Sequence, residues 1–283
     1  MNERGPVWGK LALGTTSLLV YGFLYLPVAV LILFSFNDAR TGGAWQGFTT
    51  EWYGVLFDNE RLRAATWNSL NIALVSTTVA VALGTMLALA LERFHVRRRG
   101  FVEQIVYLPV IAPEIVTGVS LLAFFSLVLG GINDVLGRSG PEALRMGRPT
   151  VILAHIAFNT AFVAIVVRVS LRSFDRRIEE AGEDLGASPW QTFWRVTLPS
   201  ILPGVLGGAL LAFSLSLDNF VITFFVAGPG GATLPIEVFG QLRRTIRPDV
   251  NAVSALLFLA SSLILMLALG LQVLAARRRG TAR

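Results

Sequence analysis

Side chains able to do chemistry are scarce in this chain. It has no cysteine and two histidines, His95 and His155. Neither histidine stands in an H-E-x-x-H or comparable ligand cluster, so disulfide, thiolate and metal-site chemistry find no residues to work with. The single lysine, Lys10, lies in Gly5-Pro6-Val7-Trp8-Gly9-Lys10-Leu11. A phosphate-cradling loop needs G-x4-G-K-[ST], and here both the spacing and the hydroxyl are wrong. Without a nucleophile–base pair or a metal cluster, the chain is not expected to be an enzyme or to need a cofactor. Two acids embedded in apolar sequence are left: Glu114, preceded by Pro113, and Asp218, followed by Asn219.

The elements that must hold these residues follow from composition. Apolar residues make up 54% of the 283 positions and charged residues 15%, below the quarter usual in soluble domains. Mean hydropathy is +0.64. Six stretches are long and apolar enough to span a bilayer as helices: Leu11–Phe36, Ser69–Leu91, Val102–Leu127, Val151–Val169, Ile201–Val226 and Ala252–Leu274. The expected fold is all-α, one integral membrane domain of six spans over residues 1–283. The first stretch is too long, and too close to internal Pro27, for a cleaved signal peptide, and it lacks a small-residue cleavage site.

Lys and Arg near span ends resist translocation and so set orientation. Of the 24 basic residues, fifteen fall on one face: Arg4, Lys10, Arg93, Arg97, Arg98, Arg99, Arg168, Arg172, Arg176, Arg177, Arg195, Arg277, Arg278, Arg279 and Arg283. Nine fall on the other: Arg40, Arg61, Arg63, Arg138, Arg145, Arg148, Arg243, Arg244 and Arg247. Both termini are therefore expected in the cytoplasm. In such a protein the net charge of +6 does not point to nucleic acid, and Arg97–Arg99 read as an anchor near anionic lipid. In the first outer loop, Trp45, Trp52 and Tyr53 fit an interfacial belt or a docking surface, and Trp52 and Tyr53 can stack on a cation.

An acid within a span is costly, about 2.5–3.5 kcal/mol for Asp at a helix centre, so it usually faces a pathway or a partner. Counted along an unbroken third span, Glu114 lies about 12 residues in, or roughly 18 Å, near the bilayer middle. Three readings stand for it: a cation pathway, a pair with a residue of a partner chain, or a protonated buried acid. Asp218 is read near the outer end of the fifth span, lining the pathway or hydrogen-bonded to interfacial water. In the fourth span, His155 reads as an interhelical hydrogen-bonding group rather than a ligand.

Between the fourth and fifth spans, Leu171–Ser200 is polar and patterned. A helix is expected from Arg176 to Leu185, stopping at Gly186, since glycine best tolerates a left-handed cap. Ser188-Pro189-Trp190-Gln191 has the composition of a capping box with proline at the first helical position. The second helix should break before Pro199.

Within this segment, Glu180-Ala181-Gly182, then Gly186, Val196 and Leu198-Pro199 resemble the E-A-A–x3–G–x9–I–x–L-P loop of ABC importer permeases. The departures, Gly182 for alanine and Val196 for isoleucine, keep small and β-branched residues. The resemblance implies the type I importer permease fold, with residues 171–200 as the loop coupled to the ATPase subunits. It also implies a bacterial inner membrane location, a second permease subunit and a periplasmic substrate-binding protein.

The resemblance extends along the chain. Tyr25-Leu26-Pro27, Phe34-Ser35-Phe36-Asn37, Gly47-Phe48-Thr49-Thr50-Glu51-Trp52-Tyr53, Ser214-Leu215-Ser216-Leu217-Asp218-Asn219-Phe220, Thr233-Leu234-Pro235 and Arg247-Pro248-Asp249-Val250-Asn251-Ala252 are similar to the second permease of spermidine/putrescine importers. That implies polyamine cargo, paired with a related but different permease chain, and suits Glu114, Asp218, Asn219 and Trp52 as pathway residues. Another small solute remains the alternative. An ion-driven secondary transporter would need inverted repeats around a midplane ion site, and the sequence has no such halves.

Overall fold

The computed structural model describes residues 7–39, 44–94, 97–243 and 250–263, together with Met266 and Gly270. Expectations for Arg4, Arg40, His95, Arg244, Arg247, Pro248, Asp249, Arg277, Arg278, Arg279 and Arg283 lie outside the described residues. So does most of the sixth span beyond residue 263.

The described chain is helical, without a strand; one isolated bridge joins Asn37 and Phe48. The helices are α1 (Val7–Phe34), α2 (Glu51–Asp58), α3 (Glu60–Arg93), α4 (Arg99–Ile111), α5 (Glu114–Leu136), α6 (Arg148–Ser173), α7 (Arg177–Asp184), α8 (Pro189–Thr192), α9 (Leu198–Asp218), α10 (Val221–Val226) and α11 (Leu234–Leu242), with α12 over Val250–Leu263. Five described segments are long and apolar enough to cross a membrane, in α1, α3, α5, α6 and Pro189–Asp218, and α12 is a shorter apolar helix. Six spans are compatible with this set. Helices are the expected solution, because hydrocarbon offers no water to backbone N–H and C=O groups.

Three boundaries differ from the sequence reading. The expected third span, Val102–Leu127, is two helices: Ala112 and Pro113 are extended, with ψ of 137° and 135°. Pro113 has no N–H to continue α4 and disfavours helical backbone at Ala112. The expected fifth span, Ile201–Val226, ends at Asp218, and α10 follows a break at Asn219. The expected break before Pro199 is absent, for a reason given below.

The chain forms two compact units. In the first (1–63 with 238–262), α1 buries none of its side chains over 13–34, as suits a helix surrounded by lipid. Here a knot of contacts holds the segment after α1. The Asn37 amide donates to Ala44 O and its Oδ1 accepts from Gln46 N, at 2.9 Å each. Trp52 Nε1 donates to Asn37 O at 2.7 Å, and Phe36 stacks on Phe48.

In the second unit (64–237 with 263–283), α6 is the pillar. The residues Val151, Ala154, Val163, Val167 and Leu171 along it are buried. Val163 is flanked by glycines from both sides: a β-carbon on Gly84 of α3 would lie 2.7 Å from Val163 Cβ, and one on Gly208 of α9 would lie 3.4 Å from Val163 Cγ1. Gly204 likewise leaves room for the Ser170 side chain. The glycine stripe thus brings α9 onto α6, and buried clusters are strung along the same helix, among them those around Val151 and Ala154, Val163 and Val167, and Ala164.

Gly84 tests this packing, because Thr160 O lies 2.9 Å from its would-be β-carbon and a backbone atom cannot swing aside. Gly84→Ala is expected to cost about 1–3 kcal/mol, the usual range for overpacking, read as a lower unfolding midpoint in detergent. Gly130→Ala, with open space around it, should not lower that midpoint.

Candidate functional site

The segment after α6 folds as two short helices at one end of the second unit. Asp175 Oδ1 accepts from Arg177 N at 3.0 Å and starts α7. At its far end Gly186 N donates to Glu183 O at 2.8 Å and Ala187 N to Gly182 O at 3.1 Å, the two bonds of a Schellman cap. Gly186 has φ +90°, so a side chain there would be strained. Ser188 and Gln191 form the expected reciprocal box, with Gln191 N to Ser188 Oγ at 3.3 Å and Ser188 N to Gln191 Oε1 at 3.1 Å.

Beyond α8, residues Phe193–Thr197 form a π-helical turn that runs directly into α9. Pro199 lacks the N–H that would bond Arg195 O, and its ring would crowd that carbonyl in a regular helix. Widening the preceding turn relieves both faults without breaking the rod.

The loop residues expected to act together are brought together. Gly182 faces the π turn, with Thr192 Oγ1 and Val196 Cγ2 each 3.9 Å from a would-be β-carbon, so the more usual alanine would also fit. Leu198 packs on the α6–α9 core. Ala181 and Pro199 are exposed, as is Glu180, whose carboxylate lies 3.5 Å from Arg176. Exposed Leu185 and Trp190 add apolar surface on the same loop.

Sequence reasoning passed over the charges beneath this loop. Glu179, beside the motif, is largely buried: it accepts from Thr197 Oγ1 at 2.6 Å and lies 3.1 Å from Arg93 Nε. Arg93 also stands over the Phe174 ring, 5.8 Å from its centroid. Nearby, buried Arg168 of α6 reaches Glu92 of α3 at 2.8 Å and Glu103 of α4 at 2.5 Å. Arg172 and Arg99 complete the network on Glu92 at 2.9 and 3.5 Å. Arg168 in a spanning stretch was the available signal, with Glu92 and Glu103 at the ends of adjacent ones.

The acids lie at the helix breaks. Glu114 is the first residue of α5, and its carboxylate is exposed, so a depth counted along an unbroken helix does not apply. Asp218 is the last residue of α9 and exposed, whereas Asn219 is buried and accepts from Thr223 N and Thr223 Oγ1, serving as a cap for α10. Trp52 belongs to the other unit, where its indole braces the loop after α1.

The two breaks are in register. Asn133 near the end of α5 bonds Leu144 just before α6, and Thr150 at the start of α6 bonds Val226 at the end of α10. Helices α5 and α10 therefore run the same way, both antiparallel to α6, and Gly118 of α5 receives the Phe225 ring of α10. Glu114 lies one turn before Gly118, about 6 Å along the axis, and the Asp218–Asn219 break lies before Phe225 on the same side.

His155 ties this region together as an interhelical group. Its Nδ1 lies 2.7 Å from Ser216 Oγ and its Nε2 2.9 Å from Thr223 Oγ1, and Ser216 is 3.2 Å from Ser76 of α3. Among the described residues no cluster of His, Cys, Asp and Glu has the makings of a metal site.

Residues 80–280 match the family described as "Binding-protein-dependent transport system inner membrane component". The chain belongs to that family. This inner membrane component is 40% identical over 264 residues to the putrescine transport system permease protein PotI of Escherichia coli, covering 93% of this chain and 91% of the relative. It is 35% identical over 260 residues to the spermidine/putrescine transport system permease protein PotC of Escherichia coli, covering 92% and 93%. Among solved structures, a chain of a bacterial ABC transporter that imports the acidic polysaccharide alginate superposes with a TM-score of 0.72 at 21% identity, covering 96% of each chain. The inner membrane component thus has the fold of a type I ABC importer permease.

The ionic network under the loop sets a graded expectation. Arg168→Met should destabilise this protein toward the lower end of the roughly 3–5 kcal/mol seen when a buried pair loses one partner, because Glu92 keeps Arg172. Arg172, 59% exposed, should cost no more than about 1 kcal/mol when replaced by Met. Unfolding midpoints of the two purified variants in detergent check the order.

Proposed function

We propose that this permease moves polyamines, putrescine or spermidine, from periplasm to cytoplasm as one membrane subunit of an ATP-driven importer. The observation that carries the reading is the similarity to PotI and PotC over more than nine-tenths of the chain. A match of this extent runs through the loop and both helix breaks rather than through one segment of the fold.

The partners follow from the same reading. Separate ATPase subunits dock on the loop built from Glu180, Ala181, Gly182, Gly186, Leu198 and Pro199 and hydrolyse ATP. Exposed Glu180, Leu185 and Trp190 support such a surface, a carboxylate beside apolar area. The loop and both termini then face the cytoplasm. A periplasmic binding protein delivers the polyamine at the opposite side, and a second, related permease chain completes the pathway as a heterodimer.

Glu114 and Asp218 are proposed to line that pathway. Polyamine ammonium groups need anions, and both carboxylates are exposed at helix breaks on the same side of the Gly118–Phe225 contact. Asn219 acts through the α10 cap, and Trp52 by bracing the outer loop.

Uptake of labelled putrescine and spermidine into cells with and without this chain tests the cargo. Uptake that requires the chain and is competed by unlabelled polyamine is expected; no dependence on the chain would overturn it. Glu114→Gln should lower uptake by about tenfold, the equivalent of roughly 1.4 kcal/mol, with assembly of the ATPase unchanged. Gly186→Trp should abolish uptake while the chain stays abundant in the membrane; full uptake would sink the coupling-loop reading.

A further inference from the structure

The charge pair just outside the recognisable loop motif joins more elements than any residue within it. Glu179 lies on α7, one position before Glu180, but its surroundings are opposite. Glu180 is open to solvent, whereas the Glu179 side chain is 14% exposed and that of Arg93 17%. One Glu179 oxygen accepts the Thr197 hydroxyl at 2.6 Å, and the other lies 3.1 Å from Arg93 Nε. Thr197 stands immediately before α9, and Arg93 is the last residue of α3. A single carboxylate therefore links α7 to the ends of two spanning helices, and the Phe174 ring beside Arg93 adds the end of α6.

We infer that Glu179 is the positioning residue through which displacement of α7 reaches α3 and α9. Three features support this. First, the link to Thr197 is a short, directed hydrogen bond at the base of a rod that continues unbroken to Asp218. Second, the link to Arg93 is a close ion pair without hydrogen-bond geometry, and it leaves Arg93 Nε and Nη2 with no hydrogen-bond partner. An ion pair of this kind keeps its attraction through small shifts, which a directed bond does not. Third, an open groove of ≈ 380 Å³ lies beside this carboxylate, lined by Arg93, Glu179, Thr192, Phe193 and Thr197 among others, so Glu179 bridges open space there rather than a filled interface. Without Glu179, α7 still presents its outer face to a partner but no longer pulls on the spans.

This inference rests on the loop being the ATPase-coupling surface, and the experiment separates the two. The full transporter, with its ATPase and binding protein, is reconstituted into proteoliposomes, and uptake of labelled putrescine and ATP hydrolysis stimulated by loaded binding protein are measured together. Glu179→Gln keeps an acceptor for Thr197 and removes the charge facing Arg93. It should lower uptake about tenfold, within the range by which changes along a coupling path act, while stimulated hydrolysis persists. The double variant Arg93→Glu with Glu179→Arg should recover uptake relative to either single change. Unchanged uptake in Glu179→Gln overturns the inference, as does hydrolysis falling in step with uptake or no recovery in the double variant. Gly186→Trp is run alongside. If it uncouples and Glu179→Gln does not, only this inference fails; if it transports normally, the coupling-loop reading fails with it.

Discussion

A backbone that crosses hydrocarbon cannot leave its polar groups unpaired, because no water is there to take them and each one costs several kcal/mol. That constraint shapes the three irregularities of the second unit. At residues 112–113 the chain turns extended, and the exposed groups are limited by a residue with no N–H to lose: Ala112 N bonds back to Leu108 O, and Pro113 O accepts from Thr117 N. At Asn219 a side-chain amide supplies the acceptor that the interrupted ladder lacks. At Pro199 the turn widens and the ladder is never interrupted. Each irregularity is thus a built position, and two of the three carry an acid. Glu114 gains from opening a helix, where the dipole favours negative charge, so the break that exposes it also stabilises it.

The same constraint explains why α6 carries polar groups at both ends and in the middle while its flanks are apolar. Close approach is bought at Gly84, Gly204 and Gly208, which allows van der Waals packing but says little about sliding along the axis. Directed polar contacts supply that information. Thr150 to Val226, His155 to Ser216 and Thr223, and Arg168 to Glu92 and Glu103 fix successive levels of α6 against α10, α9, α3 and α4. Membrane helices have no hydrophobic effect to press them together, so packing and hydrogen bonds must set both distance and register.

Much of this was legible in the sequence because it depends on local rules. Apolar length located the first, second and fourth spans, and the Gly186 cap and the Ser188–Gln191 box appear as their residue types require. What stayed hidden depends on partners distant in sequence. A proline predicts a break only when the preceding turn cannot adjust; the π turn before Pro199 adjusts, whereas Ala112 before Pro113 does not. The apolar run 201–226 looks continuous because Asp218 and Asn219 are neither proline nor glycine and do not by themselves mark a break. The capping bond of Asn219 to Thr223 is local, but the burial that makes the bond matter comes from the surrounding helices. Arg93 and Arg168 count in sequence only as charges that set orientation and Glu179 stands out by nothing, and their pairing appears only once α3, α4, α6 and α7 converge.

The continuity of the segment from Pro189 to Asp218 gives that convergence its mechanical sense. Had Pro199 broken the helix, α8 and α9 would be two bodies joined by a hinge, and a push on the loop would be absorbed by rotation at the joint. With the π turn in place they form one helical segment of 30 residues, about 45 Å at the usual rise. Thr197 sits low on this rod, where the loop touches it, and Asp218 sits at its tip beside the capped break. A rod of that length turns a small tilt at the base into a displacement of several ångströms at the end. The last residues of the loop motif, Leu198 and Pro199, and the acid-bearing break at Asp218 therefore lie on one continuous helical segment.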